Sequence, residues 1–144
     1  MTQAKVETPT YPSTLIRMTF TVAQWVVRIT GILALILGLL IWTESGLRSL
    51  VPIHMLIGVV LVLGLWLLAA TAWQIGVPPG LAVGAAILGL IALVLGLTQT
   101  SLLQDSTHWI VQVLHLIVGM AAVGIGEMIG GRVRRQKLAA STGS

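Results

Sequence analysis

Residues 29–42 read ITGILALILGLLIW. The stretch carries no charge and ends on a tryptophan. A helix in water needs a polar face, and this segment has none to offer; a helix in lipid needs none. Extended upstream to Thr19, the run gives a span from Thr19 to Trp42, long enough to cross a hydrocarbon core of about 30 Å at a rise of about 1.5 Å per residue. Trp25 and Trp42 suit the two interfaces, where amphipathic rings settle.

The rest of the chain repeats this pattern. Further apolar spans are expected at about 49–73, 81–99 and 108–130. They are separated by TESGLRSLVP (43–52), QIGVPPG (74–80) and TSLLQDST (100–107). Pro52 fits a first helical turn, where its missing N–H costs nothing. Ser13 or Thr14 can cap the first helix, and Ser106 or Thr107 the fourth. The predicted fold is all-α: a four-helix transmembrane bundle forming one domain over 19–130. Residues 1–18 are expected as a flexible or interfacial tail. The sequence GGRVRRQKLAASTGS reads as a glycine stop followed by a basic polar tail over 131–144.

Composition agrees. Only 8% of the 144 residues are charged, against about 25% in a soluble domain, and the mean hydropathy is +1.01. The net charge of +4 would suggest nucleic acid in a soluble protein. Here the basic residues gather at the ends, with Lys5, Arg17 and Arg28 early and Arg132, Arg134, Arg135 and Lys137 late. That distribution is topological and leaves no nucleic-acid patch. The opposite loops hold Glu44, Arg48 and Asp105. The positive-inside rule therefore puts both termini in the cytoplasm, in a multi-pass protein of the cell (inner) membrane. Residues 1–14 are polar and the first apolar run is too long for a signal peptide. There is no cysteine, which excludes disulfides, thiolate metal sites and covalent c-type haem attachment. The acids are Glu7, Glu44, Asp105 and Glu127, with no paired carboxylates and no glycine-rich phosphate loop. No catalytic pattern appears among these residues.

Residues 34–39 read ALILGL and residues 92–97 read ALVLGL. VPIHMLIG (51–58) and QVLHLIVG (112–119) follow in the same order, each with a histidine and a glycine four residues on. The order implies a duplicated helical hairpin, with about three extra residues in the second outer loop. Two parallel hairpins relate by a pseudo-two-fold axis along the membrane normal, which sets His54 opposite His115.

A histidine in hydrocarbon needs a partner and is a functional hypothesis by default. Neutral imidazole is an excellent iron ligand, and bundle cores hold metals between facing helices. Gly58 and Gly119 lie on the same face as the histidines, one turn deeper, where a flat macrocycle needs a missing side chain; such glycines also serve close helix packing. His108, Gln112, His115 and Gly119 form one stripe. His108 and Arg48, near the outer face, are either solvated or partners for the propionates of a haem. Arg28 and Glu127 reach similar depth, where they pair or each snorkels to the interface. The five tryptophans read as belt anchors, and Met55 and Met120 as packing residues rather than axial ligands.

Four spans with one histidine on the second and one on the fourth resemble the four-helix membrane b-type cytochromes and one half of a haem A synthase, over roughly residues 20–130. The resemblance implies one haem b per chain, its iron held by His54 and His115. It implies electron transfer, with a quinol or an external redox protein as partner, or a haem-bearing subunit of a larger assembly or homo-oligomer. No carboxylate stands one turn before either histidine, so the haem-modifying chemistry of a synthase is not expected. Two further readings of the residues are a non-catalytic structural or assembly subunit and a protein binding a chlorophyll-type pigment.

Overall fold

The computed structural model describes residues 13–99, 101–103 and 106–142. Four helices run α1 Thr14–Thr43, α2 Val51–Gln74, α3 Pro79–Thr98 and α4 His108–Thr142. All four are long and apolar enough to cross a membrane. Ser13 caps α1 by accepting a bond from the Ile16 amide. A 3-10 helix, Ser45–Leu50, runs straight into α2, so the segment read as a polar loop is itself helical. Pro52 and Pro79 occupy first-turn positions. Gly76 has a φ of 87° in the α2–α3 turn, where a side chain would be strained.

Two boundaries depart from the sequence reading. Residues 14–18 belong to α1 rather than to a tail; residues 1–12 lie outside the described part. The glycine pair Gly130–Gly131 does not stop α4, which continues to Thr142. Glycine weakens a helix without breaking it, and Arg, Gln, Lys, Leu and Ala beyond it are good helix formers. The buried Val133 holds the first turn after the pair against the bundle.

α1 packs on α2 and α4, and α3 packs on α2 and α4. The two histidine-bearing helices, α2 and α4, also touch across the diagonal, whereas α1 and α3 do not meet. The side-chain core is displaced toward one end. It includes Phe20, Ala23 and Val27 of α1, Leu61, Leu65, Leu68 and Ala72 of α2, Ala82 and Ala85 of α3, and Ala122, Ile129 and Val133 of α4. Large apolar side chains such as Ile36, Leu63, Leu90 and Ile117 stand exposed around the outside, as lipid contact requires.

The duplication is written in the contacts. A shift of 58 residues carries Ala34 onto Ala92, and a shift of 61 carries His54 onto His115. Under these shifts Gly38 against His54 becomes Gly96 against His115, and both contacts occur. Gly31 against Val123 becomes Gly89 against Val62, and both occur. Gly64 receives Val26 in the first hairpin, while in the second the glycine has changed sides and Gly84 receives Ile125. Even the polar link between seams corresponds: Arg28 pairs with Glu127 in one, and the Trp66 indole donates to the Ala86 carbonyl at 3.1 Å in the other. Trp66 is therefore a bridge between α2 and α3 and not a belt anchor.

Candidate functional site

Away from the packed end the bundle is hollow. A cavity of about 820 Å³ opens there, within the range of about 300–1,000 Å³ usual for small-molecule and cofactor sites. Each of the six residues singled out from the sequence, His54, His115, Gly58, Gly119, His108 and Arg48, lines it. Gln99 and Gln112 join them, as do Met55 and Met120.

The two imidazoles arrive from α2 and α4, the helices on the diagonal. His54 stands one turn from the start of α2 and His115 two turns into α4. Both are half-buried, and their ring centroids are 6.2 Å apart with planes inclined at 68°. Metal–imidazole bonds of about 2 Å on opposite sides of one ion place two ring centroids about 6 Å apart. The Nδ1 atoms of both rings are buried without a hydrogen-bond partner, a state that costs about 1–3 kcal/mol each unless something else satisfies the ring.

Two kinds of glycine surround these rings. Gly38 and Gly96 make room for the histidines themselves. A Cβ built on Gly38 would stand 2.8 Å from His54 Cε1, and one on Gly96 3.3 Å from His115 Cε1. Gly58 and Gly119 face open space: nothing lies within 4 Å of where their Cβ atoms would be, and both border the cavity. The repeated ALxLGL motif contained the signal for the first kind. Its glycine was legible as helix packing, but not as the seat of the next helix's histidine.

Polar groups collect toward the loop end. Arg48 is exposed and, among the described residues, has no carboxylate in contact. The His108 Nδ1 lies 3.1 Å from the Leu102 carbonyl oxygen, which ties the start of α4 to the preceding loop. Asp105, noted in the same loop, lies outside the described residues. The cavity thus has apolar walls, one polar rim and two imidazoles in inclined contact. Among the described residues no group of three His, Cys, Asp or Glu side chains gathers as a metal site.

At the packed end the Arg28 guanidinium grips Glu127 through Nε to Oε1 at 2.5 Å and Nη2 to Oε2 at 2.7 Å. The pair spans the α1–α4 seam and lies over Trp25, with the guanidinium carbon 5.3 Å from the ring centroid. Pairing, rather than separate snorkelling, is the observed outcome. One turn toward the N-terminus of α1, Gln24 lies directly against Gly130, whose missing side chain admits it. Neither group reaches the cavity.

No family model, curated protein or solved structure matches this chain. The site's chemistry therefore rests on its own residues.

Proposed function

We propose that the chain is an integral membrane protein that binds one haem b between His54 and His115. The observation that supports this reading is a pair of half-buried imidazoles from α2 and α4 lining one otherwise apolar cavity, with ring centroids 6.2 Å apart. The donor set fits: two neutral imidazoles suit iron, and the open faces at Gly58 and Gly119 suit a flat ring lying against α2 and α4. Arg48 and His108 would meet its carboxylates at the rim. A haem held there supplies a one-electron couple. The protein's own part is to hold two imidazoles in fixed orientation through Gly38 and Gly96, to exclude water with apolar walls, and to offer a cationic rim. With both termini cytoplasmic by the positive-inside rule, the site lies in the outer half of the cell membrane. There it exchanges electrons with a quinol or an external redox protein, alone or within a larger membrane assembly.

The test is an absorption spectrum of the detergent-purified protein, oxidised and reduced. A Soret band that is lost in His54→Ala and in His115→Ala is expected. Folded, colourless wild-type protein from haem-replete cells would overturn the reading. It would favour the structural-subunit alternative, for which the inclined edge contact of the two rings speaks. Absorption at the long wavelengths of a magnesium macrocycle would assign the cavity to a chlorophyll-type pigment instead.

A further inference from the structure

A second recess lies at the other end of the molecule, between the start of α3 and the late turns of α4. It measures about 330 Å³ and is lined by Leu81, Met128, Arg132, Arg135 and Gln136. Its position follows from the unbroken helix described above: because α4 continues through Gly130–Gly131, Arg132, Arg135 and Gln136 are carried past α3 on one ordered face. At about 100° per residue, Met128, Arg132, Arg135 and Gln136 fall within one third of the helix circumference, while Arg134 and Lys137 point the other way.

Two further contacts shape the recess. The Gln136 side-chain amide donates to the Gly76 carbonyl at 3.4 Å, which pins the α2–α3 turn against α4. The Arg135 Nη2 atom lies 4.0 Å from where a Cβ on Gly131 would stand, so the guanidinium lies back along the helix over a position that has no side chain, and Arg132 lines the same recess. Among the described residues neither Arg132 nor Arg135 has a carboxylate partner, the ion pair of the bundle being Arg28–Glu127. Leu81 and the exposed Met128 form the apolar part of the recess lining.

We propose that this recess binds the phosphate of an anionic phospholipid. Arg132 and Arg135 hold the phosphate oxygens through paired N–H donors, and the first acyl carbons run over Leu81 and Met128. Guanidinium forks match phosphate geometry, and basic recesses between membrane helices at headgroup depth have the chemistry of anionic-lipid sites. The apolar floor favours a lipid over a free anion, which would leave Leu81 and Met128 uncovered. The proposal is independent of what fills the large cavity.

The experiment is native mass spectrometry of the full chain, with thermal unfolding in parallel. Protein delipidated in zwitterionic detergent is titrated with phosphatidylglycerol, phosphatidylcholine or inorganic phosphate. Wild type is expected to retain phosphatidylglycerol about tenfold or more over phosphatidylcholine. Arg132→Gln with Arg135→Gln is expected to abolish that preference. Arg134→Gln with Lys137→Gln, which removes the same charge from the opposite face, is expected to keep it. Equal loss in both double variants would mean that net charge alone attracts the lipid, and would overturn the site. Equal retention of the two lipids by wild type, or displacement of phosphatidylglycerol by millimolar phosphate, would overturn it as well. Circular dichroism and the absorption spectrum check that the variants fold and that the large cavity is unaffected.

Discussion

At the scale of single residues, four glycines near the histidines separate two roles that look alike in sequence. Gly38 and Gly96 are filled positions, each occupied by the edge of an imidazole. Gly58 and Gly119 are open positions facing the cavity. The consequences of substitution should therefore differ in kind. Gly58→Leu or Gly119→Leu should leave thermal stability within about 0.5 kcal/mol while reducing, under the proposed function, the haem content severalfold, because the side chain enters empty space. Gly38→Val should both destabilise the protein, by about 1–3 kcal/mol, and displace His54, because the new atoms overlap the ring. Gly96→Val should act in the same direction but less, the available gap being 3.3 Å rather than 2.8 Å. Spectral titration and thermal unfolding on the same preparations distinguish the two outcomes. Equal loss of stability at all four positions would show that Gly58 and Gly119 serve packing instead. Nothing in the spacing told the two roles apart, since each glycine is a small residue on an apolar helix. What differs is the neighbour, and the neighbour comes from another helix.

At the scale of elements, the two seams related by the pseudo-two-fold axis are closed by different chemistry. α1 and α4 are joined by Arg28–Glu127, and α2 and α3 by the Trp66–Ala86 bond. The ion-pair side chains are 26% and 39% exposed, so the pair is screened only in part by protein and faces lipid for the rest. Lipid cannot solvate a lone charge, so each partner depends on the other. Arg28→Leu or Glu127→Leu alone should destabilise the bundle more than the double substitution does. The double-mutant cycle should return a coupling of about 1–3 kcal/mol. Additive single effects, measured by unfolding in mixed detergent, would mean that each charge reaches the interface by itself. Sequence depth gave the possibility of this pair and left snorkelling open, because depth along two helices does not say which faces meet. The continuation of α4 shows the same limit from the other side. A glycine pair before a basic run resembles a stop signal, yet Gly130 is there to admit Gln24, and the helix passes on.

At the scale of the whole molecule, the bundle is polarised along its length. One end is packed through Val27, Leu65, Leu68, Ala85 and Ile129, and the other holds a cavity of about 820 Å³. Local opening costs less where fewer apolar contacts must break. Amide exchange in detergent should therefore be slowest around 61–72 in α2 and 122–133 in α4. It should be faster in the cavity-lining turns around 34–41 and 92–97, which a bound macrocycle would protect. Uniform protection along all four helices in cofactor-free protein would contradict the hollow end. The packed half fixes helix positions, and the hollow half holds the two histidines.

The sequence by itself determined the four spans, their all-helical character and the hairpin repeat. Those follow from local quantities: hydropathy over about twenty residues, prolines at first turns, and the recurrence of ALxLGL and His-x-x-x-Gly. It also marked His54 and His115, because an ionisable group in an apolar run stands out without any knowledge of its neighbours. Only the tertiary structure decided that α2 and α4 share the diagonal, that the two rings lie 6.2 Å apart, and that Gly38 and Gly96 seat them. It alone decided that Trp66 bridges two helices and that the chain stays helical past Gly131. In a membrane the apolar face of a helix satisfies lipid and neighbour alike, so hydropathy carries no record of which side faces which. That choice is made by shape, when small residues on one helix receive large ones from another.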